Sequence, residues 1–165
     1  MAAFVIVEAS EAAHVRHCRE LFEEYQRGTG VSLCFQGFDR ELASLPGDYA
    51  PPAGRLFLAL AGEDPVGCVG LRGLPGGVGE MKRLYVRRAA RGTGLGEALA
   101  RRVIDAARAA GYHALKLDTL PDMDSAQALY TRLGFRDTAP YNDNPVAGVR
   151  FMALDLGGGT CSELP

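Results

Sequence analysis

Nowhere in the 165 residues is there an apolar run near the roughly 20 that a membrane-crossing helix needs, so no membrane partner is expected. Paired cysteines are missing too: Cys18, Cys34, Cys68 and Cys161 are scattered, with no Cys-x-x-Cys step and no metal-ligand spacing. Free thiols in a reducing compartment are therefore expected in place of disulfides, and no metal is expected. Cys18 and Cys68 fall inside apolar patterns as core residues, and Cys34 has no neighbouring histidine to make it a nucleophile. The formal net charge is only −2, which gives no case for nucleic-acid binding. MAAFVIVEAS carries no basic leader and passes straight into strand-like alternation, so the cytoplasm is the expected compartment. No internal repeat is visible.

What is there is the composition of a globular chain, 47% hydrophobic and 23% charged, long enough to bury a core unaided. Residues 1–156 read as a single domain, and residues 157–165, GGGTCSELP, as a flexible tail without a packing pattern. A strand is expected at residues 4–7, then a helix capped by Ser10 with Val15, Cys18, Phe22 and Tyr25 on one face. Residues 34–52 form a Gly- and Pro-bounded excursion with a short helix started by Asp39; Phe35, Phe38 and Tyr49 make it either a lid or packing material. Apolar runs at residues 55–60, 66–71 and 81–86 read as an antiparallel meander. A helix over residues 94–110 and a strand in YHALKLDTL complete a right-handed β-α-β crossover. Asp124 or Ser125 can cap a further helix carrying Ala126, Leu129, Tyr130 and Leu133. Strands near residues 136–141 and 149–156 close the pattern.

The stretch around which the rest is arranged is residues 80–96, EMKRLYVRRAARGTGLG. It runs from a strand through a basic turn into a helix start. Glycine lets backbone amides approach an anion closely, and the positive end of the helix dipole lies beneath it. No Gly-Lys-Ser/Thr follows, and Glu97 and Leu99 stand where a Gly-x-Gly-x-x-Gly pattern would need its last glycine, which sets aside the common nucleotide loops.

Arg91, Gly94 and Gly96 resemble the cofactor signature of the GNAT superfamily of acyl-CoA-dependent N-acetyltransferases: Gln or Arg, two residues, Gly, one residue, Gly or Ala. SAQALYTRLGF resembles a second segment of that family through Ala126, Leu129, Tyr130, Gly134 and Phe135, and the likeness spans residues 4–156. One departure is Met123, where the family often has an asparagine that touches the cofactor. The resemblance implies an α/β (α+β) fold: a mixed, mostly antiparallel sheet, splayed between two parallel strands and flanked by helices. It implies acetyl-CoA as co-substrate, acetyl transfer to a primary amine and frequent homodimers; the lack of a Cys or Ser in a nucleophile motif favours direct transfer, and a bulky excursion near residues 35–38 that could roof the site favours a small-molecule amine.

Carried onto this chain, the resemblance puts the pyrophosphate on Arg91, Gly92, Thr93, Gly94, Leu95 and Gly96. The pantetheine and thioester fall on a bulged strand at Leu84, Tyr85 and Val86. Glu80, Lys82, Leu84 and Val86 share one parity while mixing charged and apolar types, which suits a bulge. Tyr130 would be the acid for the thiolate, or else a core tyrosine; Glu80 would be the general base, or else a sheet carboxylate paired to Lys82 or Arg83. Asp118 and Thr119 end the parallel strand where they could grip an ammonium, with Phe35 roofing the acceptor site. Lys82, Arg83, Arg87 and Arg88 face either the nucleotide phosphates or solvent. The rival readings are a non-catalytic acyl-CoA-binding or regulatory module on the same fold and, more weakly, a nucleotide-phosphate binder. Thermal unfolding separates the ligand classes: coenzyme A at about 100-fold excess over its Kd should stabilise the protein by about 2.7 kcal/mol, while ATP and NAD leave the midpoint unmoved. Stabilisation by all three would sink the acyl-CoA reading.

Overall fold

In the computed structural model, which describes residues 3–33 and 37–157, the alternating apolar stretches build seven strands in one sheet. They are β1 (Val5–Glu8), β2 (Arg55–Ala61), β3 (Asp64–Leu74), β4 (Val78–Val86), β5 (Ala114–Thr119), β6 (Arg136–Asp137) and β7 (Arg150–Asp155). Their order is β1-β2-β3-β4-β5-β7-β6, antiparallel throughout except between β4 and β5. The parallel pair is short. Val78, Gly79 and Glu80 pair with Ala114, Leu115 and Lys116, yet β4 runs on to Val86 and β5 to Thr119. Past Glu80 the two strands part, which is the expected splay.

The expected bulge lies in β4. Cys68 of β3 pairs with Tyr85 and Gly70 with Lys82, so Val69 alone faces both Arg83 and Leu84. Arg83 absorbs the extra residue at φ 60°, the one non-glycine residue with positive φ among the described residues. An inserted residue shifts the two-residue period by one. Simple parity groups Leu84 and Val86 with Glu80 and Lys82; the bulge separates them, so that Leu84 and Val86 join Met81 on the opposite face.

Helices α1 (Ala12–Thr29) and α2 (Phe38–Ser44) cover one face, burying Cys18, Leu21, Phe22 and Phe38 on Leu56, Leu58 and Cys68. Helix α3 (Leu95–Ala109) covers the other with the i, i+4 series Leu95, Leu99, Val103 and Ala107, packed on Phe57, Val69, Leu71 and Leu115. Beside it lies α4 (Asp124–Arg132). The caps differ from expectation: Glu11, Gly37 and Met123 precede α1, α2 and α4, and none of the three helix starts has a side-chain cap. Ser10 therefore does not cap α1, while Asp39 and Asp124 lie inside first turns, where their charge meets the positive helix end. Strand β6 is only two residues long. After Thr138 bonds to Phe151, the chain reaches Pro140, which has no N–H to extend a ladder, and a loop carries it to β7.

The excursion at residues 34–52 proves to be packing in its described part. Phe38 and Tyr49 are buried, and the Tyr49 ring meets Phe22 edge-on at 5.9 Å. Tyr49 also covers Gly70 so closely that a Cβ there would sit 2.6 Å from the ring. Gly70→Ala should accordingly lower stability by about 1–3 kcal/mol, read as a fall in the urea midpoint at constant slope. An unchanged midpoint would show that Tyr49 does not need that space.

Candidate active site

Beyond β4 the chain makes a short 3₁₀ turn (Arg88–Ala90) and enters α3 through Gly92 and Gly94, at φ 77° and 86°. L-residues rarely adopt such angles, which is why glycine stands at both. Arg91 Nε donates to the Val86 carbonyl at 2.9 Å and Thr93 Oγ1 to the Ala90 carbonyl at 2.6 Å, folding the turn against the end of β4. No side chain caps Gly94, so the first-turn amides of α3 are available at the helix end. Next to the turn lies a groove of about 580 Å³ between β4, α4 and the end of α1, lined by Leu84, Tyr85, Val86, Arg91 and Gly96, by Met123, Ala126 and Leu129, and by Tyr25, Gly28 and Thr29 of α1. Gly92, Thr93 and Gly94 shape the turn without lining the groove, and the Leu95 side chain is buried in the core. At the surface, Glu97 of α3 accepts from Arg101 at 3.3 Å and from Arg132 of α4 at 3.4 Å.

Where β4 and β5 part, the groove gives way to a cavity of about 40 Å³ lined by Lys82, Leu84, Asp118, Thr119, Met123 and Tyr130. Tyr130 is buried and packs at 5.7 Å against Phe135. Burial pushes its phenol well above the ordinary tyrosine range, so it stays protonated at neutral pH. Thr119 Oγ1 points its hydroxyl at Met123 Sδ, 3.8 Å away. On the α1 side a hollow of about 20 Å³ adjoins Tyr25, Leu33, Arg83, Asp118 and Asn144. Asp118 borders both spaces.

The polar groups here are engaged. Glu80, fully buried, accepts from Arg72 Nε at 2.7 Å and from the Tyr141 hydroxyl at 2.6 Å, with Lys82 Nζ 3.8 Å away. It lines neither the groove nor either smaller space. The geometry thus favours the sheet carboxylate over the general base; its partners are Arg72, Tyr141 and Lys82, and Arg83 goes elsewhere. Arg83 makes a two-pronged pair with Glu41 of α2, both contacts at 3.0 Å, beneath a 2.9 Å hydrogen bond from Tyr49 to the same carboxylate. Burial works to raise the Glu41 carboxyl, but hydrogen bonds and charge from Arg83 outweigh it and hold the group below its usual range. Asp118 behaves alike: burial is opposed by Lys82 at 3.7 Å and by the amides of Asn142 and Asn144 at 3.0 and 3.2 Å, with a net downward shift. Arg87 pairs with Glu24 of α1. Lys82, Arg83 and Arg87 each stand against carboxylates on the α1 face, a placement given by neither expected alternative, nucleotide phosphates or solvent; Arg88 is exposed in its turn.

Residues 16–135 match the sequence model of the Acetyltransferase (GNAT) family. The chain belongs to this family. An uncharacterized N-acetyltransferase of Schizosaccharomyces pombe is 39% identical over 138 residues, 82% of this chain and 85% of the relative. An IAA acetyltransferase of Azospirillum brasilense is 40% identical over 93 residues, 56% of this chain and 61% of its own. In fold, a GNAT acetyltransferase of Staphylococcus aureus superposes with a TM-score of 0.78 over 93% of this chain and 99% of that one, at 22% identity.

Among the GNAT positions expected from sequence, the structure gathers Leu84, Tyr85, Val86, Arg91 and Gly96 along the groove and Leu84, Asp118, Thr119 and Tyr130 at the cavity. Phe35 lies outside the described residues, as do Cys34 and the tail from residue 158. Sequence reasoning assigned the acceptor wall to residues 35–49 and 141–150 but gave no individual role to Glu41, Tyr141, Asn142 and Asn144 within them. For the asparagines a signal existed: Asn-x-Asn-Pro is a turn former, and each asparagine side chain accepts from the backbone two residues on, at 3.1 and 3.0 Å. Glu41→Gln would leave Arg83 buried without its counter-charge and should cost about 3–5 kcal/mol at pH 7, measured by chemical denaturation. The depressed folded-state pKa means that this stabilisation is present above the ordinary glutamate range and is lost as pH falls through the folded value. Wild-type stability should converge on that of the variant under acid. A loss below about 1 kcal/mol at pH 7 would remove the pair as the anchor of Arg83.

Proposed function

We propose that the protein is an N-acetyltransferase that moves an acetyl group from acetyl-CoA directly to a primary amine of a small molecule. The observation that carries this reading is the parting of β4 from β5, with Tyr130 on the small cavity between a long groove along β4 and α4 and a hollow beside Asp118 and Asn144. Two substrates can meet there from two ends of one cleft. The residues present fit acetyl-CoA. Glycine-shaped backbone and the open end of α3 suit a pyrophosphate, while Leu84, Val86, Ala126 and Leu129 offer an apolar track for the pantetheine arm. Met123 replaces an amide donor with a thioether, so that one polar contact to the arm is given up.

In mechanism, β4 amides left without a β5 partner beyond Glu80 donate to the thioester oxygen and to the oxyanion that develops there. Tyr130, still protonated at neutral pH, gives a proton to the departing thiolate. Asp118, held ionised, attracts the acceptor ammonium beside Thr119, and the ammonium proton passes by way of water to the Asp118 carboxylate and on to bulk solvent, since Glu80 has no opening to the cavity. The small-molecule preference is supported by the Asn142 and Asn144 contacts to Asp118 that draw the loop before β7 over the hollow.

A panel of amines, amino acids and peptides offered with acetyl-CoA, with product mass and thiol release as readouts, tests the assignment. A small amine should be acetylated, and Tyr130→Phe should lower kcat about 10²-fold while the Kd for coenzyme A stays within twofold. Unchanged turnover would remove Tyr130 from the chemistry; tight coenzyme A binding with no acetylated product would favour a non-catalytic acyl-CoA module.

A further inference from the structure

Only two lysines occur in the chain, Lys82 and Lys116, against sixteen arginines, and the two stand on neighbouring strands beside Glu80, whose Cα pairs with that of Lys116. Their surroundings differ. Lys116 is half-buried, with Nζ 5.7 Å from the centre of the Tyr141 ring, and lines none of the three spaces. Lys82 is only 4% exposed, yet it forms part of the wall of the 40 Å³ cavity together with Leu84 and Tyr130. The bulge creates this arrangement: Lys82 stays on the α1 face while Leu84, two residues on, serves the groove. A primary amine belonging to the protein thus lines the same small space as the phenol proposed to protonate the thiolate.

From this geometry we infer that Lys82 is a self-acetylation site, taking the acetyl group from bound acetyl-CoA when no acceptor occupies the cavity. The step rests on the acetyl-CoA reading above. The neutral Nζ forms a bond to the thioester carbonyl carbon, the carbon–sulfur bond breaks, and one Nζ proton ends on the coenzyme A sulfur, directly or through Tyr130. The products are an amide on Lys82 and free coenzyme A, with no further reactant required. Burial, partly opposed by the charges of Glu80 and Asp118, moves the Lys82 ammonium below the ordinary lysine range, which enlarges its neutral fraction. The consequence is self-limitation. Acetylated Lys82 would be uncharged, would no longer counter Glu80 at 3.8 Å or Asp118 at 3.7 Å, and would fill the space an acceptor needs.

The test incubates the full chain with acetyl-CoA and no amine, then reads intact mass and maps the modified peptide. A parallel thermal-shift arm reports coenzyme A binding. The expected result is one acetyl group per chain, on Lys82 and not on the more exposed Lys116, suppressed by an amine identified as acceptor and absent in Lys82→Arg. Mapping on the wild type decides the matter even if the variant does not fold. Stabilisation by coenzyme A without acetylation, or acetylation on Lys116 in preference, would overturn self-acetylation alone. Absence of stabilisation by coenzyme A would overturn the acetyl-CoA reading, and self-acetylation with it.

Discussion

Arg83 holds a left-handed backbone angle in the middle of a sheet, and the two-pronged bond from its guanidinium to Glu41 keeps it there. A non-glycine residue in that region costs on the order of 1–3 kcal/mol. Here the offset comes from a desolvated ion pair of favourable fork geometry and from the Phe38 ring, whose centroid lies 5.0 Å from the guanidinium carbon. Glu41 is in turn fixed by Tyr49, which is wedged over Gly70. One chain of contacts therefore joins α2, the packing excursion, β3 and the bulge. Because that bulge decides which way each later residue of β4 faces, the apolar lining of the groove depends on a charge pair on the other side of the sheet.

The polar cluster on the α1 face has a second role. Arg72, Glu80 and Tyr141 connect β3 and β4 to the loop before β7, and Asp118 connects β5 to the same loop through Asn142 and Asn144. Buried charges are tolerated only when paired and hydrogen-bonded, and here cations and carboxylates alternate: Arg72 with Glu80, Lys82 between Glu80 and Asp118, Arg83 with Glu41. The loop is thereby held as a wall whose position is set by the sheet.

What could be read from sequence was what is encoded locally. The Gly92–Gly94 turn, the i, i+4 face of α3 and the strand on either side of it depend on near neighbours, and they stand where their patterns put them. The bulge was legible as a failure of alternation at Lys82 and Leu84, but its effect on facing was not, since parity counting assumes one residue per step. Arg83 looked like part of a solvated basic run because its partner lies 42 positions away in an excursion read as lid or packing. Glu80 likewise owes its engagement to Tyr141, 61 positions on. The asparagine contacts to Asp118 span 24 and 26 positions. Such pairs form only once the sheet order is known.

Glu97 adds a different kind of coupling. By accepting from Arg132 it links the first turn of α3 to the last turn of α4, the two helices that flank the groove, through a contact on the protein surface. An exposed pair of this kind is weak and is screened by salt. The attachment of α4 to α3 thus has a surface component whose strength is set by the medium, whereas the seating of α3 on the sheet through buried Leu95 and Leu99 does not respond to ionic strength.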